Sequence, residues 1–146
     1  MARDANMAEW PVGIYSARLI GELHDAGAIG VQRPFDADQM QPASLDLRLG
    51  DVAYRVRSSF LPGPKMKVSE GIARLKLHEI DLSGGAVLER GCVYIVPLQE
   101  ALDLPQAVSA AANPKSSTGR LDVFTRVICD RARGFDQVHA FVSNLY

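Results

Sequence analysis

The segment NPKSSTGRL, Asn113–Leu121, concentrates hydrogen-bonding groups. Lys115, Ser116, Ser117, Thr118, Gly119 and Arg120 follow one another directly behind Pro114. Lys115 and Arg120 bring two cations, and the three hydroxyl residues bring donors and acceptors. Gly119 lets the chain turn tightly or approach a ligand closely. Consecutive N–H groups in such a turn can make an anion-holding concavity, to which the cations add charge-assisted hydrogen bonds. By residue type alone, the stretch is either a solvated Ser/Thr loop or a seat for something negatively charged.

Other chemistries lack their residues. There is no G-x-x-x-x-G-K-[ST] and no G-x-G-x-x-G, so the usual glycine-rich phosphate loops are missing. His24, His78 and His139 belong to no H-x-x-x-H or H-x-E pattern, and there is no C-x-x-C. A zinc site, including the His/Cys/Cys zinc of cytidine deaminases, is therefore not expected. No G-x-S-x-G elbow supports a serine hydrolase. His24 is expected on a helix surface and His78 on a strand edge, neither of them catalytic.

Lys and Arg number 16 against 17 Asp and Glu, a formal net charge of −1. Without a basic field, a protein built mainly to hold nucleic-acid backbone is excluded, and an anionic small molecule must meet a local cluster of positive charge. The N-terminus, MARDANMAEWPVG, has no apolar h-region, and no run approaches the ~18 apolar residues of a membrane span. A cytoplasmic protein is expected. Cys92 and Cys129 sit in apolar, strand-like runs, which predicts two buried, reduced thiols, with a disulfide between them as the alternative.

The elements that would carry NPKSSTGRL are mostly strands. Residues 1–146 read as a single domain: an N-terminal arm over 1–15, a helix over 16–27 and a β body over 41–146. Leu19, Ile20 and Leu23 share a helix face, with Ser16 as N-cap and Gly27 as stop. No second helix stands out. In SLDLRLGDVAYRV, Leu45, Leu47 and Leu49 alternate with Ser44, Asp46 and Arg48, and Val52, Tyr54 and Val56 resume the period of two. SSFLPGPK reads as a loop. LKLHEIDLSGGAVLERGCVYIVPL reads as three short strands, turning at Ser83–Gly85 and at Glu89–Gly91. LDVFTRVI, Leu121–Ile128, is dense in β-branched and aromatic residues and reads as a further strand. Trp10 and Pro11 are expected to anchor the arm, Arg131 and Arg133 to lie in a solvated loop, and Arg126 to face either the pocket or water. The fold class is all-β, a sandwich or barrel with one short N-terminal helix.

Two motifs stand in order: QPASLDLRLG over 41–50 and NPKSSTGRL over 113–121, with VLERGCVYIVPLQEALDLP between them. This arrangement resembles the dCTP deaminase branch of the dUTPase-like superfamily. The first motif resembles the family's opening strand, the second its Arg/Lys-Ser-Ser-x-x-Arg motif, and FDQV the aspartate-containing segment that follows. The wording is most similar to the first half of long deaminases that carry two such domains in tandem. The resemblance implies a distorted β-barrel or jelly-roll of the β-clip type, closing into trimers or trimer-like homo-oligomers with active sites at subunit interfaces. It implies that Lys115, Ser116, Ser117, Thr118, Gly119 and Arg120 wrap the nucleotide phosphates, and that Ser116 and Arg120 also face the base and its attacking water as catalytic groups. It implies that Asp136 lies near the sugar or base and that Asp46 braces the site.

The implied partners are dCTP and dUTP, with magnesium carried on the triphosphate and no metal ligand from the protein. The implied reaction is hydrolysis of the cytosine C4 amine, giving dUTP and ammonia. A dUTPase-like pyrophosphatase, a bifunctional enzyme and a non-catalytic nucleotide-binding or assembly module are the alternatives. In a zinc-free site a positioned carboxylate, its pKa lifted by burial, must carry the protons, and the resemblance implies that this is a glutamate on the strand after FDQV. No acidic residue follows Asp136, and Glu79, Glu89 and Glu100 all precede the serine motif. The expectation is a domain truncated before its catalytic base.

Overall fold

The computed structural model describes residues 10–138 and 144–146. Among them the chain order is α1 (Ala17–Asp25), β1 (Ile29–Val31), β2 (Met40–Gln41), β3 (Ser44–Leu45), β4 (Val52–Val56) and α2 (Val68–Leu75). There follow β5 (Lys76–Asp81), β6 (Val93–Ile95), β7 (Glu100–Leu102), β8 (Ala110–Ala111), α3 (Ser116–Gly119) and β9 (Gln137–Val138). Four small antiparallel sheets result: β1 with β7, β2 with β3, β4 between β5 and β6, and β8 with β9. The architecture is mostly strands with a few helices, and the described strands form no closed barrel.

Two apolar clusters hold these pieces. The first gathers Ile20 and Leu23 of α1 with Ile29, Leu102, Leu104, Val108, Cys129, Val138 and Leu145. The second gathers Val56, Val68, Ile72, Ile95 and Ile128. Helix α1 follows its apolar spacing and buries Ile20 and Leu23. Ser16 is extended, as a cap residue should be, although its hydroxyl makes no capping bond. The chain leaves α1 through Gly27 at φ +78°, where a residue with a Cβ would be strained. Trp10 packs on the first cluster and stacks with Tyr15 at 6.3 Å between ring centroids, while Pro11 is exposed.

Several expectations need correction. A second substantial helix exists: α2 turns Val68, Gly71 and Ile72 inward, an i, i+3, i+4 face. Its first N–H is capped from far away, Val68 N donating to Asp130 Oδ1 at 2.8 Å. Its eight residues interrupted by Gly71 left only a weak helical period. The strand expected over 121–128 does not form. Leu121, Val123 and Phe124 are 77%, 46% and 89% exposed, and Asp122 adopts φ +59°, which breaks an extended backbone. β-propensity measures fit to a half-buried pleated surface, and no neighbouring strand offers one here. The middle strand of the three expected after Leu75 is also absent, leaving Val87 88% exposed. The run from Ser44 pairs only through Leu45; Leu49 is exposed and makes an isolated bridge to Leu98. Cys129 is buried as expected, Cys92 is only half-buried, and both thiols are free. His24 is half-buried rather than on the surface: Nδ1 lies 2.7 Å from the Ile29 carbonyl and the ring leans on Phe35. His78 is exposed on the edge strand β5, and His139 lies outside the described residues.

Gly71 is packed from outside. A Cβ there would stand 2.2 Å from Cε2 of Phe60, whose ring covers the second cluster. Alanine is the better helix former by about 1 kcal/mol. Even so, Gly71→Ala should lower stability by about 1–2 kcal/mol, because it drives the Phe60 ring off its seat. A thermal or urea melt checks this; an unchanged or raised midpoint would show that Phe60 moves aside freely.

Candidate functional site

The segment NPKSSTGRL contains a single helical turn on the surface, α3. Lys115 is extended and acts as the N-cap of α3, and Arg120 closes it. Thr118 N and Gly119 N donate to the Lys115 carbonyl at 3.0 and 3.2 Å, and Arg120 N to the Ser116 carbonyl at 3.1 Å. Strand β8 leads into the turn, but no strand leads out of it. Ser116, Ser117, Gly119 and Arg120 are exposed and Thr118 is half-buried. Among the described residues, no side-chain partner engages the three hydroxyls or the Arg120 guanidinium. The turn therefore presents hydroxyls, a guanidinium and the Ser116 and Ser117 N–H groups outward together.

Lys115 is the exception. Its ammonium pairs with Asp46 Oδ2 across 69 residues of sequence. That contact joins the opening motif to the serine motif, and it holds the Lys115 pKa above its ordinary value. The pair is largely solvated on the lysine side, so it fixes geometry more than it stabilises the fold.

Asp136 takes a different position. It adopts φ +62° and uses its carboxylate within its own neighbourhood: Oδ1 accepts from Val127 N at 2.8 Å and Oδ2 pairs with Arg126 Nε. Its backbone N–H donates to Val127 O at 2.8 Å, and its carbonyl accepts from Ala112 N at 2.9 Å. Asp136 thus clasps the chain before the serine turn to the chain after it. Arg126, undecided in the sequence, is mostly exposed, paired with Asp136 and laid over the Phe135 ring at 5.2 Å. Arg131 and Arg133 are exposed.

Sequence reasoning missed a buried polar knot behind Asp46. Glu100 is 1% exposed in β7. It accepts from Gln39 Nε2, Arg48 Nε and the Arg48 backbone N–H, each at 2.8 Å. Arg48 continues outward to the carbonyls of Pro34 and Arg33, each at 2.9 Å, and to Asp36 Oδ2 at 3.3 Å. Glu100 foremost, then Asp36, raises the Arg48 pKa. The available signal was one glutamate inside the apolar run YIVPLQEALDLP, where an unpaired charge would be too costly.

Two cavities, of about 350 and 260 Å³, lie elsewhere: one along Gly30–Gln32, Pro97–Ala101 and the 144–146 segment, the other beside Tyr54, Ile72 and Lys76. Neither includes a residue of the serine turn. No group of three or more His, Cys, Asp or Glu among the described residues is placed to hold a metal, and no described helix is long and apolar enough to cross a membrane.

With this geometry established, comparison with known proteins is decisive. The family profile for the 2'-deoxycytidine 5'-triphosphate deaminase N-terminal domain matches residues 11–146. The chain belongs to the dCTP deaminase family. A crystal structure of 2'-deoxycytidine 5'-triphosphate deaminase from Agrobacterium tumefaciens superposes with a TM-score of 0.85 at 54% identity, covering 91% of this chain and 40% of that one. A dCTP deaminase, dUMP-forming, from Corynebacterium glutamicum is 34% identical over 115 residues, 77% of this chain and 58% of that protein. The protein of the same name from Coprothermobacter proteolyticus is 31% identical over 110 residues, 75% of this chain and 58% of that one. The chain therefore spans about 58% of the length of these curated dCTP deaminases.

Proposed function

We propose that this domain binds dCTP at the Lys115–Arg120 turn and takes part in hydrolysing its cytosine C4 amine. The observation that carries the reading is the Lys115–Asp46 pair, which brings the two family motifs to one place and leaves Ser116, Ser117 and Arg120 facing outward. Lys115, Ser116, Ser117, Thr118 and Gly119 take the triphosphate oxygens through the ammonium, hydroxyls and N–H groups. Ser116 and Arg120 face the base and orient water toward C4. Asp136 fixes the loop from behind and borders the sugar. Water adds at C4, N3 gains a proton and ammonia leaves, so dCTP and water give dUTP and ammonia. Asp136 is held by Arg126 and Val127, so the proton carrier in this reading is another carboxylate.

Magnesium fits this donor set only as a passenger on the triphosphate, because Asp46 and Asp136 each already face a cation. There it would neutralise phosphate charge. The exposed turn, with Leu121, Val123 and Phe124 open beside it, suits a site completed by another subunit in a cytoplasmic trimer or trimer-like assembly, on a scaffold that we read as a distorted jelly-roll although its described sheets stay separate. The names of the 31–34% identical relatives favour a second reading, in which the product is carried on to dUMP.

The test is calorimetric titration of the 146-residue chain with dCTP and magnesium, followed by an assay for ammonia, dUTP and dUMP. The expected outcome is dCTP binding, weakened at least tenfold by Lys115→Ala, with turnover at least 10²-fold below that of an active longer form. Absence of binding, or binding indifferent to Lys115, would overturn the reading. In the active form, pyrophosphate released with dUMP would select the bifunctional alternative.

A further inference from the structure

We infer that Glu100 is a positioning residue for the Lys115 phosphate contact, acting through the three-residue segment 46–48. The inference rests on the proposed reading of Lys115 as a phosphate ligand and deepens it. One buried carboxylate grips both ends of the segment. It accepts the Arg48 backbone N–H and Nε directly, each at 2.8 Å. It reaches Asp46 by relay, because the Gln39 amide nitrogen that donates to Glu100 at 2.8 Å also donates to the Asp46 carbonyl at 2.8 Å. Asp46 N returns a bond to the Gln39 carbonyl at 3.0 Å. The Arg48 fork, spread over three acceptors at residues 33–36, keeps the segment from pivoting. The Asp46 carboxylate then meets Lys115 on the other side.

Lysine is a point charge on a flexible stem, and it holds a defined place only against a fixed partner. Asp46 is that partner, and Glu100 is what fixes Asp46. Strand pairing of β7 with β1 ties Glu100 opposite Val31, so the chain of contacts runs from a sheet to the serine turn. An apolar residue would fill the same space without the desolvation of a charge, which is why a geometric task, rather than stability, accounts for a carboxylate here.

The test is a double-mutant cycle on the full chain with Glu100→Gln, Lys115→Ala and both together, titrated with dCTP and magnesium. Glu100→Gln should weaken binding about five- to tenfold in the native background and less than about twofold when Lys115 is absent. Equal fold-changes in the two backgrounds would overturn the inference. A second readout needs no nucleotide. The Lys115 ammonium titration, followed by NMR on labelled lysine side chains, should fall toward the ordinary lysine value in Glu100→Gln, because Asp46 is no longer held against it. A merely structural glutamate would lower the melting temperature and leave that titration unmoved, which would also refute the positioning role. If the native chain does not bind dCTP while the titration still shifts, the positioning network stands and the nucleotide reading alone falls. Should Glu100→Gln fail to fold, Gln39→Met leaves both Glu100 contacts to Arg48 in place and cuts the side-chain relay to Asp46, together with the Asp36 N–H bond to Gln39 Oε1. It should move the Lys115 titration the same way, and an unmoved titration there counts against the inference.

Discussion

Arg120→Ala, placed in a form of this protein active on dCTP, should lower turnover about 10²–10³-fold, the usual loss when a donor aimed at developing charge is removed. Its melting temperature should stay within about 2 °C of the native value, because substitutions of exposed side chains without buried partners change stability by no more than about 0.5 kcal/mol. Arg120 is exposed, caps a single helical turn through its backbone, and engages no side chain among the described residues. No contact among the described residues depends on its guanidinium, while the proposed chemistry does. Parallel steady-state assays and melts decide the matter. Near-native turnover would remove Arg120 from the reacting centre, and a large fall in melting temperature would recast it as a structural residue.

Glu100→Ala, unlike Arg120→Ala, should cost the fold much of its stability. Removing the carboxylate takes the acceptor from the Arg48 backbone N–H and from Arg48 Nε in a largely buried place, a loss of about 2–5 kcal/mol for two such donors. That is a large share of the ~5–15 kcal/mol that holds a typical domain together. Denaturant unfolding monitored by fluorescence would measure it. A loss below about 1 kcal/mol would mean that water replaces the carboxylate and that the knot is less closed than its hydrogen bonds indicate.

The serine turn and the opening motif were legible because their chemistry is written in consecutive residues: a lysine, three hydroxyl residues, a glycine and an arginine need no tertiary context to be noticed. Helix α1 was legible for a similar reason, since Leu19, Ile20 and Leu23 make a face within one turn. What failed were inferences from propensity without a partner. LDVFTRVI has the composition of a strand, yet Asp122 takes a left-handed backbone and Phe124 is 89% exposed. Whether such residues pair depends on which edge the rest of the fold offers, and that is not local information. Glu100 was passed over for a related reason. It was weighed only as a general base, by its order in the chain, whereas its function in the fold comes from residues 39 and 48, far away in sequence. Asp136 was found by its motif, but its orientation toward Arg126 and Val127 follows from a positive φ that the letters FDQV do not announce.

Leu145 and Tyr146 sit side by side but serve different cores. Leu145, 2% exposed, belongs to the first apolar cluster and bridges Cys129, and its carbonyl accepts from Leu98 N at 3.0 Å. Tyr146 packs on the second cluster and exchanges two backbone hydrogen bonds with Ile128, each 2.9 Å. One peptide unit thus rivets two cores together, through backbone partners at Leu98, Ile128 and Cys129 that all precede it in the chain. Such contacts form only after the loops between the partners close. On a ribosome, apolar surface of both cores would stay open to chaperones or to self-association until this dipeptide emerges.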